Sequence, residues 1–305
     1  LPDACIEAET KNKMKKQNSK QKEEKKMAEP TISIDDLTPA EVANKAVAVG
    51  VKKAGLDFWT MLFLGFFGGA FIAFGAILAT TVGTNGSEFP YGVNALLKGL
   101  IFTVGLILVI VAGAELFTGN NLMFMAVLSK KITMGKMLRN WGVVYLGNFI
   151  GAVLVAFIML MARQYTFAGG AVGKTALSIA NAKAGLQFFS AIGLGIMCNL
   201  LVDLAVWMTF AARTVGGKIA AIILPISAFV AAGFEHSVAN MYFVPMGLLI
   251  KWFDPTFTSN AGEYANLTLG NFFVKNLIPV TIGNIIGGAI FIGAAYWFIY
   301  LRKNK

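Results

Sequence analysis

Six apolar blocks, at about residues 57–82, 95–128, 140–162, 186–212, 218–250 and 272–300, constrain this chain more than any other feature. The hydrocarbon core of a bilayer is about 30 Å thick and takes roughly 20 apolar residues per helix. Every block meets that length, so the sequence predicts six transmembrane helices. Charged residues make up 14% of the 305 positions and hydrophobic ones 56%, whereas soluble domains carry roughly 25% charge.

The net charge of +10 is an orientation signal rather than a nucleic-acid footprint. Residues 1–26 hold eight lysines and five acidic residues. They fall in a polar segment, 1–34, that reads as a disordered tail. That tail lacks the apolar stretch of a cleavable signal. Thr38-Pro39-Ala40-Glu41 then carries the marks of a helix start, with a cap, a proline in the first turn and a glutamate three residues on. The helix it opens, within 35–56, is weakly amphipathic through Val42, Ala46 and Val49, and is expected to lie at the membrane surface. Residues 57–302 form the transmembrane domain.

Lys130, Lys131, Lys136 and Arg139 follow the second block, Arg213 and Lys218 the fourth, and Arg302, Lys303 and Lys305 the sixth. The alternate loops are poorer in net positive charge: 83–94 has only Glu88, and 251–275 balances Lys251 and Lys275 with Asp254 and Glu263. The segment 163–185, with Arg163, Lys174 and Lys183, is the exception. The bias predicts a multi-pass protein of the cell (inner or plasma) membrane with both termini cytoplasmic, and 163–185 and 251–271 outside.

The second and fifth blocks are over-long, at about 34 and 33 residues, and each is interrupted. The first interruption reads Gly113-Ala114-Glu115-Leu116-Phe117-Thr118-Gly119-Asn120 and the second Gly233-Phe234-Glu235-His236-Ser237-Val238-Ala239-Asn240. Gly, Glu and Asn recur 120 residues apart. Gly147-Asn148-Phe149-Ile150-Gly151-Ala152 echoes Gly283-Asn284-Ile285-Ile286-Gly287-Gly288 in the third and sixth blocks. Two echoes in the same order, with matching block lengths, point to an internal duplication. Three spans per half would set the halves in opposite orientations. Interrupted spans at matching places of an inverted repeat point to a binding or conduction site near the midplane.

Backbone freed from a helix at membrane depth must be buried in protein or line a wet cavity, and half-helix N-termini attract anions. His236 is the sole histidine. An ionisable group at that depth is costly, which favours a role in the path over one as a hydrogen-bonded tie within the break. Glu115 and Glu235 would repel an anion if bare, so a structural role is expected, accepting hydrogen bonds from freed backbone N–H groups. Asn120 and Asn240 share that role by position. Thr118 can donate to an ion or cap the following half-helix. Asn199 and Asp203, four apart, share a helix face; Asn199 reads as interhelical glue. Lys183, just before the fourth block, reads as a snorkelling surface lysine.

Cys5 and Cys198 form no disulfide or metal pattern. No phosphate loop, Cys/His cluster or nucleophile elbow is present, so no catalysis and no cofactor are expected. A neutral-solute pore of the aquaporin kind would call for an arginine beside the constriction, and neither interruption holds one. A membrane scaffold without transport would leave the interruptions and the buried histidine without a purpose.

Ala112–Thr118, Asn199 with Ala205-Val206-Trp207-Met208, Gly233–Met241 and Asn276–Asn284 together resemble the formate/nitrite transporter family, over about residues 35–302. The resemblance implies a homopentamer in which each protomer has its own aquaporin-like pore, with broken second and fifth helices. It implies that Thr118 faces His236, that Phe102, Leu106, Leu116 and Phe229 narrow the pore, and that Asn199 lies near the histidine. Lys183 matches an outer-vestibule lysine that attracts anions, and the helix near 39–54 a segment implicated in gating. Asp203 departs from the cysteine of the formate branch. Tyr242-Phe243-Val244-Pro245-Met246-Gly247 looks more like the formate than the nitrite branch. The expected function is a channel for small monovalent weak-acid anions, formate first and nitrite or hydrosulfide as alternatives, with His236 protonating or hydrogen-bonding the anion.

Overall fold

A computed structural model describes residues 36–258 and 262–303. The expected tail at 1–34, including Cys5, lies outside the described residues. Every regular element among those described is helical: α1 (Pro39–Ala54), α2 (Phe58–Val82), α3 (Tyr91–Gly113), α4 (Gly119–Leu128), α5 (Met134–Met161), α6 (Ala171–Ala184), α7 (Phe188–Ala211), α8 (Val215–Ala231), α9 (Ser237–Phe253) and α10 (Leu269–Tyr300), besides short 3-10 turns. Five of them, α2, α3, α5, α7 and α10, are long and apolar enough to cross a membrane. The second apolar block is divided between α3 and α4, and the fifth between α8 and α9.

Local chemistry explains the boundaries. The Glu41 carboxylate accepts from both the N–H (2.8 Å) and the hydroxyl (2.7 Å) of Thr38 at the start of α1. Asp57 caps α2 by accepting from the Thr60 N–H, and Thr214 caps α8 the same way through Gly217. α3 ends at Gly113 and α8 runs out at Gly233, both with positive φ (+87° and +73°), a conformation glycine adopts without a Cβ penalty.

The segment 163–185, expected as a loop, contains α6. Its apolar positions are diluted by lysine, serine and asparagine and it is only 14 residues long, so hydropathy alone passes over it. Its buried residues Val172, Gly173, Ala176, Ala180 and Ala184 fall 130 positions after Val42, Ala43, Ala46, Gly50 and Ala54, the buried face of α1. Each half of the chain thus opens with a short helix that buries one face. α1 lies close against the broken span: a Cβ on Gly50 would stand 3.0 Å from Ala126 Cβ and 3.4 Å from Met123 Cα.

Close packing in the two halves uses matching glycines. Any side chain at Gly65 or Gly147 would meet the facing backbone of α5 or α2. Gly195 and Gly283 do the same for α7 and α10. In lipid, where helices gain nothing from hiding apolar surface from water, such small-residue contacts let van der Waals packing and polar bonds associate the helices.

Candidate functional site

Each span interruption leaves backbone groups unpaired by helix, and each is held by an asparagine. The Asn148 side chain accepts from the Phe117 N–H (2.9 Å) and donates to the carbonyls of Gly65 (2.6 Å) and Glu115 (2.9 Å). Asn284 accepts from the Ser237 N–H (2.9 Å) and donates to the carbonyls of Gly195 (2.8 Å) and Glu235 (3.0 Å). The N–H groups of Glu115 and Glu235 donate to Leu64 and Leu194. These are the partners that buried backbone requires, supplied by side chains because no neighbouring strand exists among the described residues.

The two glutamates have different partners from those expected. Their carboxylates bind side chains, not freed backbone N–H groups. Glu115 pairs with Lys53 (2.9 Å) and accepts from Asn120 Nδ2 (2.7 Å), which also donates to Asn140 Oδ1 (2.8 Å). Glu235 pairs with Lys183 (2.9 Å) and accepts from Asn240 Nδ2 (2.7 Å), which also donates to Asn276 Oδ1 (2.8 Å). Both glutamates are buried, and the lysine side chains are 22% and 16% exposed. Lys183 is therefore not a free surface lysine; besides the ion pair, its ammonium sits 5.3 Å from the centre of the Phe243 ring.

His236 and Thr118 meet at the centre. Thr118 Oγ1 and His236 Nε2 are 2.9 Å apart, with Thr118 fully buried and His236 3% exposed. His236 Nδ1 accepts from the Ala239 N–H at 3.0 Å and so caps α9. A nitrogen that accepts carries no proton, so a neutral ring holds its proton on Nε2 and donates it to the threonine oxygen. The Thr118 O–H is then free to donate onward. The Phe229 ring stacks on His236 with centroids 5.9 Å apart, and Phe102 meets Phe229 edge-on at 5.7 Å.

Three hollows lie in series through this point. The middle one, about 10 Å³, is lined by Phe102, Leu106, Leu116, Ile226, Phe229 and His236, among others. One neighbour, about 60 Å³, shares Leu106 and Leu116 with it and reaches Lys53 and Asn120. The other, about 140 Å³, shares Phe102, Phe229 and His236 and reaches Lys183, Glu235 and Lys98. The middle space is no larger than about one water-sized sphere, so any solute passing there sheds its hydration shell.

The structure thus gathers Thr118, His236, Phe102, Leu106, Leu116 and Phe229 at one constriction and sets Lys183, Glu115, Glu235, Asn120 and Asn240 in the flanking networks. Asn199 stands one layer back, donating to the carbonyls of Asn284 (2.8 Å) and Thr118 (3.3 Å) and to Asn121 Oδ1 (3.3 Å). Asp203 is fully buried and neither of its oxygens has a hydrogen-bond partner among the described residues. The sequence assigns no site role to Lys53, Asn140, Asn148, Asn276 or Asn284, although Asn148 and Asn284 stand in the Gly-Asn echo. A signal for Lys53 existed: Lys53-Ala54-Gly55-Leu56 recurs as Lys183-Ala184-Gly185-Leu186.

Membrane-length helices around a narrow, largely apolar constriction with a wider hollow at each side define a multi-pass transport protein of the channel type. A sequence model of the formate/nitrite transporter family matches residues 40–298. The chain belongs to that family, whose members are transporters and channels, not enzymes. It is 42% identical over 275 residues to the formate channel FocA of Escherichia coli (strain K12), covering 88% of this chain and 96% of that one. A solved structure described as a pentameric formate channel with formate bound is similar at 44% identity and TM-score 0.74, over 80% of this chain and 98% of that one. A second, described as an FNT family ion channel, is similar at 30% identity and TM-score 0.74, over 85% and 98%.

Proposed function

We propose that the chain forms a homopentameric channel for formate and similarly small monovalent weak acids, each protomer conducting through its own Thr118–His236 constriction. The observation that carries this reading is the single imidazole N–H, paired to a hydroxyl 2.9 Å away, inside an otherwise apolar waist. A bare ion entering such a waist loses several kcal/mol of hydration. One or two donors aimed at a carboxylate oxygen offset part of that loss, and a shared proton offsets more. Phe102, Leu106, Leu116 and Phe229 exclude hydrated ions by size. The names of the relatives support formate among the candidate anions.

The direct test is flux into vesicles holding the pentamer, with formate, nitrite, hydrosulfide, lactate and glycerol compared. Formate is expected to pass fastest, with glycerol near the protein-free rate. Fast glycerol entry would replace this reading with a neutral-solute pore; fast nitrite or hydrosulfide with slow formate would move the substrate within the family.

The matching networks of the two halves support an inverted repeat. The basic loops at 130–139, 213–218 and 302–303 support cytoplasmic termini. The hollow holding Lys183 then faces outward, and α1, packed on α4, lies at the cytoplasmic surface where it can act as a gate. Glu263 is exposed and lies in the loop assigned to the outside. In a Cys5→Ala background, a Glu263→Cys variant is expected to react with a membrane-impermeant maleimide on intact cells, because the remaining Cys198 is buried. Labelling only after the membrane is breached would invert the orientation.

A further inference from the structure

Lys183 lines the hollow on the His236 side, but its charge is offset by Glu235 at 2.9 Å. The cation there that has no such partner is Lys98. It forms no ion pair or hydrogen bond with the other described residues, and it lines two hollows at once. One is the roughly 140 Å³ space above Phe102 and Phe229. The other, further out, measures about 390 Å³ and is lined by Lys98, Lys174, Thr175, Ser178 and Asn85, among others. The two spaces also share Ile179.

We propose that this outer hollow is an anion-capture site, in which Lys98 and Lys174 hold a small monovalent anion before it moves along Lys98 to the Lys183–Glu235 pair and the constriction. Four groups in its wall have donors to spare: the two ammonium groups, the Asn85 amide and the Ser178 hydroxyl, the last two forming no side-chain hydrogen bond with the other described residues. Thr175 spends its proton on the Ala171 carbonyl and offers only lone pairs. No carboxylate lines the hollow, and Glu88, at its rim in sequence, is exposed. The space is far larger than the constriction, which is about one water-sized sphere, and accommodates an anion still carrying several waters. Capture here therefore needs no dehydration, which is left to the constriction. Clustered like charge at the mouth of a low-dielectric funnel raises the local concentration of the opposite ion, an effect that falls with salt.

This proposal rests on the channel reading, so its test has two arms that fail separately. In vesicles holding the full-length pentamer, Lys98→Met is expected to raise the half-saturating formate concentration about three- to tenfold at roughly 10 mM ionic strength, where the Debye length is about 30 Å. The shift should fall below about twofold at roughly 0.3 M, where screening is stronger, while the maximal rate moves less than the half-saturating concentration. Lys98→Arg should restore the parent value. An unchanged half-saturation at low salt overturns the capture role, as does a loss confined to the maximal rate. The second arm uses bromide as the probe: crystals of the parent soaked in bromide should show an anomalous peak in the Lys98–Lys174 hollow that is absent in Lys98→Met. A parent without that peak refutes the site even if formate flux is confirmed. A peak in a parent that passes no formate sustains the site and removes the channel reading instead.

Discussion

His236→Phe is expected to assemble as the parent does and to lose at least about tenfold in formate flux. Phenylalanine fits the volume and keeps the stack on Phe229, whose ring lies 5.9 Å away at 27°. What goes is the Nε2–H that faces Thr118 and the Nδ1 that caps α9. Losing the cap costs about 1 kcal/mol, little for a helix packed as tightly as α9. Losing the central donor leaves a waist with only the Thr118 hydroxyl to meet an ion. His236→Asn separates the two duties. Asparagine is a good helix cap and an amide donor, but it takes up no proton between about pH 5 and 8, the range over which an unperturbed imidazole changes charge. This variant should carry formate as an anionic current whose pH dependence is weaker than the parent's. Formate flux and membrane current recorded together over that range decide the matter. Parent-like behaviour of both variants would leave His236 as a cap and nothing more.

The second large effect concerns stability. Lys53→Met removes the partner of a buried Glu115 and takes a donor from Asn120 Oδ1, which Lys53 also reaches at 2.6 Å. Removing one member of a buried ion pair typically costs about 3–5 kcal/mol, because the other charge is left without compensation. Replacing both members is far milder. Thermal unfolding of the detergent-solubilised pentamer should therefore rank the parent first, Lys53→Met/Glu115→Gln close behind and Lys53→Met clearly last. In the double variant, the amide introduced by Glu115→Gln still offers an oxygen to Asn120 Nδ2. The Lys183→Met/Glu235→Gln series should rank in the same way. A double variant no more stable than Lys53→Met would show that the lysine acts through something other than Glu115.

Much of this architecture was legible in the residues. Five of the six apolar blocks stand as membrane-length helices, the fifth block is two shorter ones, helices end at or near Gly113 and Gly233, and the echoed Asn148 and Asn284 make like hydrogen bonds. Length and polarity are properties of a segment alone, so they can be read without neighbours. The short helix α6 was not legible, because its apolar face is built from alanines and glycine that carry little hydropathy and gain their meaning only from what they pack against. The partners of Glu115 and Glu235 were hidden for a related reason. The sequence places a carboxylate in a break, but whether backbone N–H groups or a lysine from a distant helix answers it depends on tertiary packing. Here Asn148 of α5 and Asn284 of α10 serve the backbone, and the carboxylates are answered by the lysines of α1 and α6 together with Asn120 and Asn240. The Nε2–H form of His236 likewise follows from a cap bond that no linear pattern encodes.

The two matching loops have consequences for how such a pore can change. Lys53, Glu115, Asn120, Asn140 and Asn148 have counterparts of the same type in Lys183, Glu235, Asn240, Asn276 and Asn284, and these ten form the two bonded networks at the interruptions. The residues between them differ: 120 positions on, Leu116 corresponds to His236, Phe117 to Ser237 and Thr118 to Val238. The central polar pair draws one member from each loop, Thr118 from the first and His236 from the second. In the proposed channel, mutation at these few positions would alter what passes while the framework that folds the protein stays as it is.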